Sequence, residues 1–128
     1  MHPHERLVRE GFEAFAQGDL DRIRAVFAED AVYHIPREEF LGGTYRGLSQ
    51  ITGLFSKLMD ASEGTFQVEL HDVVASDEHT LAITIRRAER EGAMREVRDV
   101  TVFHVRGGKI VEAWSHPLDQ EAADEFWS

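Results

Sequence analysis

Residues 97–116 read VRDVTVFHVRGGKIVEAWSH, and this stretch decides the fold class. Two runs rich in β-branched and aromatic residues are separated by Gly107-Gly108. Both glycines can adopt a positive φ angle at little steric cost, which a two-residue hairpin turn requires. The stretch therefore predicts two antiparallel strands, Val97–Val105 and Ile110–His116, joined by a tight turn.

Further strands are expected before this hairpin, so that the sheet forms a meander. Apolar and polar residues alternate over residues 66–70, the period of a half-buried strand, and Leu81, Ile83 and Ile85 mark a second strand. Residues 31–35 predict a short strand that ends at Pro36. Because proline lacks the N–H that a continuing ladder needs, this strand is expected at the edge of the sheet. A loop is expected over residues 37–47.

Helical spacing of apolar residues predicts helices before the meander. Pro3 suits a first helical position, and the stripe that begins at Leu7 ends at Gly18. Asp19 can cap a short second helix by accepting a backbone N–H bond. A third helix is expected over residues 48–59, and a short terminal one over 119–127.

Helices of this kind cover one face of an antiparallel sheet, which gives an α+β arrangement in a single domain over residues 1–128. Apolar residues on the opposite face would form a patch that invites self-association. A homodimer through the sheet is therefore expected.

The composition limits the classes of molecule that this protein is expected to bind. The chain of 128 residues carries 14 Lys and Arg against 24 Asp and Glu, a formal net charge of −10. This charge repels nucleic acid and anionic membrane surfaces, so neither is an expected partner. The absence of cysteine excludes disulfides, thiolate nucleophiles and sulfur-ligated metals. With no apolar signal region or long apolar span, the expected location is cytoplasmic.

No motif for a cofactor or a metal is visible. The sequence has no Gly-x-Gly-x-x-Gly, no phosphate loop and no His-Glu-x-x-His, so neither a cofactor nor a metal site is expected. The run Arg86-Arg87-Ala88-Glu89-Arg90-Glu91 mixes both signs of charge. Such a run is typical of a solvated hairpin end.

Four segments, taken in order, resemble the SnoaL-like branch of the nuclear transport factor 2-like family. They are residues 18–21 (GDLD), 27–31 (FAEDA), 45–47 (YRG) and 108–114 (GKIVEAW). The resemblance implies a cone-shaped fold in which three N-terminal helices pack on a curved, mainly antiparallel sheet and enclose a pocket, usually in a dimer. Members include steroid isomerases, polyketide cyclases, dehydratases, epoxide hydrolases and binding domains, so the chemistry must be argued from the site.

The mechanism of the steroid isomerases does not fit this sequence. Registering the chain on the family pattern puts Gly11, Ile35 and Thr101 at the three positions that need an acid or a base. Epoxide hydrolases of the limonene type need an Arg between two carboxylates. Their pattern is matched in part by Trp114-Ser115-His116 and by Arg87-Ala88-Glu89, so epoxide hydrolysis stays an alternative.

Cyclases and dehydratases need one base to remove a proton next to a carbonyl and one donor to hold the developing enolate. The predicted catalytic residues are His34, His116 and Asp99. The predicted contacts to a small apolar substrate are Phe12, Phe15, Tyr33, Phe55, Arg87 and Trp114.

Two questions stay open at this point. Trp114 and His116 share one face of the last strand, Ala113 and Ser115 the other, and the resemblance favours the Trp114 face as the pocket wall. The alternatives to an enzyme are a noncatalytic domain that binds a small apolar molecule and an interaction module that uses its surface.

Overall fold

The structure is a computed structural model that describes residues 1–127, apart from the side chain of Arg90. Its described part contains helices and strands in an α+β arrangement, as predicted. In chain order they are α1 (Pro3–Ala16), α2 (Leu20–Val26), β1 (Phe27–Ile35), β2 (Gly43–Arg46), α3 (Gly47–Ala61), β3 (Gln67–Ala75), β4 (Thr80–Arg90), β5 (Ala93–Arg106), β6 (Lys109–Pro117) and α4 (Gln120–Trp127).

The strands form one mixed sheet in the order β2-β1-β6-β5-β4-β3. Strands β3 to β6 are the expected antiparallel meander. Strand β1 pairs in parallel with β6, placing Tyr33 opposite Ala113, and it pairs antiparallel with β2 on its other side. The expectation of an edge strand at residues 31–35 is therefore wrong, because β2, formed within the expected loop, takes the edge.

The first two helices begin where the sequence indicates. Pro3 occupies the first turn of α1, where its missing N–H is not needed. The Asp19 side chain accepts a hydrogen bond from the backbone N–H of Arg22 at 3.1 Å and so caps α2.

One face of the sheet, here called the inner face, is covered by helices. Helix α1 contacts α2, β3 and β4, helix α3 contacts β1 and β2, and helix α4 contacts β5. Val8, Ile51 and Phe126, from three different helices, are each at most 1% exposed in the core between the layers. None of the described helices is long and apolar enough to cross a membrane.

Strand β4 shows which kinds of side chain lie on the inner face. Thr80, Ala82 and Thr84 are fully buried, whereas Leu81 is 39% exposed on the opposite, outer face. The apolar residues that marked this strand in the sequence thus do not all face the helices. Small and hydroxyl-bearing side chains thus occupy the inner face of β4 from Thr80 to Thr84.

Candidate functional site

An apolar cavity lies between helices α1 and α3 and the inner face of the sheet. Phe12 and Phe15 line it from α1, Phe55 from α3, and Tyr33 and Phe103 from the sheet. The rings meet edge to face, with centroid distances of 5.2 Å for Phe15 and Phe55 and 6.1 Å for Phe12 and Phe103. The structure therefore brings together four of the predicted substrate contacts.

A second cavity adjoins the first and is more polar. Glu39, Asp99 and Ser115 line it, together with apolar residues from α4 and the loop after β1. Arg86 lines both cavities. Among the described residues it is the charged group in the wall of the apolar cavity.

These polar side chains lie together because side chains alternate between the two faces along each strand. Thr84 and Arg86 are two residues apart on β4, so they share the inner face, as Asp99 and Thr101 do on β5. The register pairs Asp99 with Thr84 and Thr101 with Ser115 of β6. Neighbouring strands thus deliver a compact polar cluster to one patch of the inner face.

The centre of the cluster is an ion pair. Arg86 Nη2 lies 3.4 Å from Asp99 Oδ1, and the two side chains are only 16% and 11% exposed. Burial raises the pKa of the Asp99 carboxyl; the charges of Arg86 and His116 and a hydrogen bond from Thr101 lower it, without cancelling that rise. Asp99 therefore holds its proton at a higher pH than an exposed aspartate.

Burial and the neighbouring charge also act on the pKa of the Arg86 guanidinium, each in the opposite direction to its effect on Asp99. Burial lowers the pKa of Arg86, but the charge of Asp99 and the neighbouring Tyr33 hydroxyl raise it by more. Arg86 therefore keeps its positive charge at the border between the two cavities. A fixed cation beside an apolar cavity can stabilise negative charge on an oxygen atom.

Three buried hydroxyls connect Tyr33 with Asp99, and we call Tyr33, Ser115 and Thr101 the hydroxyl chain. Tyr33 Oη lies 2.7 Å from Ser115 Oγ, and Ser115 Oγ lies 3.0 Å from Thr101 Oγ1. Thr101 donates to Asp99 Oδ1 at 3.5 Å. Thr101 and Ser115 are 0% and 3% exposed, so bulk water does not compete for these bonds.

The loop over residues 36–42 covers the second cavity. Gln120 of α4 donates to Glu39 Oε2 at 3.1 Å, and the rings of Phe40 and Trp127 stack at 4.6 Å. The negative charge of Glu39 contributes to raising the pKa of Asp99. The loop thus encloses the site and adds one negative charge to the surroundings of Asp99.

Two of the predicted site residues lie on the outer face of the sheet. His34 Nε2 is 2.6 Å from Glu112 Oε2, and the His34 ring stacks on Trp114 at 5.5 Å. The expectation that Trp114 is a wall of the pocket is wrong. The small residues Ala113 and Ser115 point inward instead, where the helices leave little space.

The predicted arginine is also on the outer face. Arg87 donates to Glu69 and Glu96, each at 2.9 Å, whereas its neighbour Arg86 lines the cavities. The expectation of a solvated run over residues 86–91 is therefore wrong for Arg86. His116 is exposed on β6 and acts on Asp99 through its charge.

Sequence reasoning named Asp99 but missed Arg86, Thr101 and Ser115 as parts of one cluster. The spacing of two residues between Asp99 and Thr101 was a usable signal, since it puts both on one strand face. The described residues contain no group of three or more His, Asp or Glu side chains that could hold a metal ion.

Comparisons with known proteins place this chain in context. The family model of the SnoaL-like domain matches residues 8–113. The uncharacterised protein Rv0034 of Mycobacterium tuberculosis is 32% identical over 123 residues, which cover 95% of this chain and 94% of that protein.

Solved structures with the same fold match nearly the whole chain. Bal32a, from a soil-derived mobile gene cassette, is 31% identical, with a TM-score of 0.91 over 98% of this chain and 97% of its own. IdmH of Streptomyces antibioticus, provisionally assigned as a polyketide cyclase, is 22% identical, with a TM-score of 0.79 over 98% of this chain and 97% of its own. At that identity IdmH supports the fold alone.

Proposed function

Because the chain belongs to the SnoaL-like domain family, we propose that it is an enzyme for cofactor-free acid–base chemistry on a small, largely apolar molecule. Asp99 accepts and returns the proton, and Arg86 stabilises the negative charge that develops on a substrate oxygen. One observation carries this proposal: a buried ion pair lies beside a cavity whose other walls are mostly apolar. Burying two charges costs several kcal/mol per ion. A cavity that only binds apolar molecules does not need charged groups in its wall, so this cost supports a catalytic role for the pair.

The raised pKa of Asp99 suits a group that must both take and give a proton, because it moves toward the working pH. Its carboxylate removes a proton from carbon next to a carbonyl. The C–H electron pair becomes the C=C bond of an enolate, and the carbonyl π pair moves to the oxygen, where the guanidinium of Arg86 stabilises it.

The enolate can then react in three ways within this site. Return of the proton from Asp99 to another carbon gives an isomer. Attack of the enolate carbon on a second carbonyl closes a ring, and the proton goes to the alkoxide that this attack forms. Loss of a β-hydroxyl, which takes the proton from Asp99 and leaves as water, gives a dehydrated product. Each outcome uses the same base and the same cation, so the shape of the apolar cavity decides between them.

The apolar walls must yield when a substrate enters. The cavity measures about 60 Å³, whereas pockets that enclose small molecules typically measure roughly 300 Å³ or more. The contacts of Phe15 with Phe55 and of Phe12 with Phe103 join α1 to α3 and to the sheet. Edge-to-face pairs are worth only about 1 kcal/mol each, so the burial of an apolar substrate can offset their separation.

Epoxide hydrolysis is the second candidate, and one observation favours it. Arg86 lines the second cavity together with two carboxylates, Asp99 and Glu39, which is the charge pattern expected for polarising an epoxide and activating water. Turnover of epoxides in preference to enones would select this function.

The first test is a thermal-shift screen of the purified protein against enones, aromatic ketones and epoxides. A compound present at about 100 times its Kd adds roughly 2.7 kcal/mol to the free energy of unfolding, which such a screen detects. Each compound that raises the Tm is then assayed for turnover. Binding without turnover across all three classes would identify a binding domain and overturn the enzyme proposal.

The second test is Asp99→Asn, assayed on whichever compound is turned over. We expect kcat to fall at least about a hundredfold while the Kd of the compound changes little, since the lost group acts as a base. Asp72→Asn makes the same chemical change at an exposed position of β3 and serves as the control. Loss of turnover in His34→Gln, with Asp99→Asn unaffected, would move the chemistry to the outer face.

A further inference from the structure

We propose that the protonation state of Asp99 sets the direction of the hydroxyl chain, so that Tyr33 donates a hydrogen bond into the apolar cavity only while Asp99 is protonated. The inference rests on the proposed function and deepens it, because it names the ligand group that the site selects. That group is the oxygen of the enolate, which forms as Asp99 takes up the substrate proton and which accepts hydrogen bonds and donates none.

The ionised state fixes one direction. A carboxylate only accepts hydrogen bonds, so Thr101 donates its single hydroxyl hydrogen to Asp99. Thr101 must then accept from Ser115, and Ser115 must accept from Tyr33. The hydrogen of the Tyr33 hydroxyl is thereby engaged inside the sheet, and Tyr33 offers the cavity no donor.

The protonated state allows the reverse direction. The carboxylic acid of Asp99 can donate to Thr101, which turns to donate to Ser115, which in turn donates to Tyr33. The Tyr33 oxygen also neighbours the Arg86 guanidinium, which only donates. With its oxygen receiving from Ser115, the Tyr33 hydrogen requires an acceptor outside the chain, and Tyr33 lines the apolar cavity.

Several charged groups face Asp99 and bias this equilibrium without interrupting the hydroxyl chain. Arg86 on β4 and His116 on β6 favour the ionised carboxylate, and Glu39 in the loop over residues 36–42 favours the protonated acid. When Asp99 takes a proton from the substrate, the hydroxyl chain can therefore reverse, and Tyr33 then donates to the enolate oxygen that has formed. The proton held by Asp99 is available for return to the product.

The test is NMR of the protein labelled with ¹³C at the tyrosine Cζ and at the aspartate carboxyl carbon. The sequence contains two tyrosines, and Tyr45 donates to the backbone carbonyl of Leu41 at 2.6 Å, outside the chain. We expect the Tyr33 signal to change with the same midpoint as the Asp99 carboxyl signal as pH is varied, while the Tyr45 signal serves as an internal reference.

Thr101→Val separates the hydroxyl chain from a through-space effect of the Asp99 charge. It removes the hydroxyl next to Asp99 with little change in volume, so the Asp99 signal should still titrate while most of the Tyr33 response disappears. If Thr101→Val does not fold, Ser115→Ala breaks the next link and gives the same readout. His116→Gln should move the midpoint of Asp99 and leave Tyr33 following it.

Either of two results would overturn the inference: a Tyr33 signal that ignores Asp99 in the unaltered protein, or one that follows Asp99 equally well in Thr101→Val and Ser115→Ala. Neither measurement needs a substrate. A negative result here therefore leaves the proposed function untouched, and a failed turnover assay leaves the hydroxyl chain untouched.

Discussion

Burial and a neighbouring charge act on the pKa of Asp99 in opposite directions. Burial raises its pKa, and the attraction of Arg86 acts against that rise. An ion pair whose carboxylate still holds its proton more tightly than in water contributes little to stability, because the desolvation of both groups offsets their attraction. The pair is better explained by chemistry than by folding.

This balance predicts a pH dependence of stability with a definite sign. Above the unfolded pKa of about 3.9, the unfolded chain loses the Asp99 proton more readily than the folded protein does. Stability from this group therefore falls as pH rises, by at most about 1.4 kcal/mol per pH unit, until the raised folded pKa is passed.

Urea unfolding of the unaltered protein and of Asp99→Asn, measured from acidic to neutral pH, checks this dependence. The unfolding free energy of the unaltered protein minus that of Asp99→Asn should decrease as pH rises. Asp72→Asn controls for the removal of one negative charge from an acidic chain. A difference that grows with pH would mean that the attraction of Arg86 outweighs burial.

Individual site residues were only partly predictable from the sequence. Asp99 was named as a candidate, but Arg87 was chosen over Arg86. The choice followed the partial match of Arg87-Ala88-Glu89 to the epoxide hydrolases. Two adjacent residues of a strand face opposite sides, and the apolar residues at 81, 83 and 85 lie on the side of Arg87 and not of Arg86. Only the packing of the helices decides between the two faces, and that packing is not a local property.

At the scale of elements, the loop over residues 36–42 depends on one glycine. A Cβ atom at Gly42 would lie 2.2 Å from the carbonyl oxygen of Pro36 and 2.6 Å from that of Arg37. Both contacts are with backbone atoms, so the loop itself would have to move. Leu41 beside it already adopts a left-handed φ of 61°.

Gly42→Ala should therefore destabilise the protein by roughly 1–3 kcal/mol, since a methyl group is forced into a closed loop. Gly53→Ala is the matched control, because it lies within α3 and its added Cβ meets nothing within 4 Å. Alanine there should stabilise by about 1 kcal/mol through its better helix propensity. Urea unfolding of both variants checks this, and equal effects would show that the loop tolerates the methyl group.

The same loop region shows why some elements were missed. The meander and all four helices follow from local patterns, namely period two, period 3.6 and the glycine turns. Strand β2 is only Gly43–Arg46, too short for a period to appear, and it exists because β1 offers it a partner. The parallel pairing of β1 with β6 joins residues about eighty positions apart, such as Tyr33 and Ala113, which no local pattern reports.

At the scale of the whole molecule, the family was predictable although no single segment was decisive. The four segments that resemble SnoaL-like proteins lie mostly within residues 8–113, and the match of the family model over that range confirms the resemblance. Their order and spacing reflect the fold of the entire chain. The substrate depends on the shape of one cavity, and the order and spacing of these segments do not predict that shape.

The outer face of the sheet gives the last prediction, which concerns assembly. Leu81, Val102, Trp114 and His34 are successive register partners across β4, β5, β6 and β1. The first three form an apolar row on that face, which ends at His34 and its partner Glu112. A chain with a net charge of −10 repels its own copies, so association needs such an apolar area. We expect a homodimer that buries this row.

Val102→Glu would place an unpaired carboxylate at the centre of the row, and burying it between two copies costs several kcal/mol. Sedimentation velocity should therefore show a dimer for the unaltered protein and a monomer for Val102→Glu. Met94→Glu adds the same charge at a position 63% exposed near the β4–β5 turn, and it should stay dimeric. A monomeric unaltered protein, or a Val102→Glu variant that remains a dimer, would show that the sheet face is not the interface.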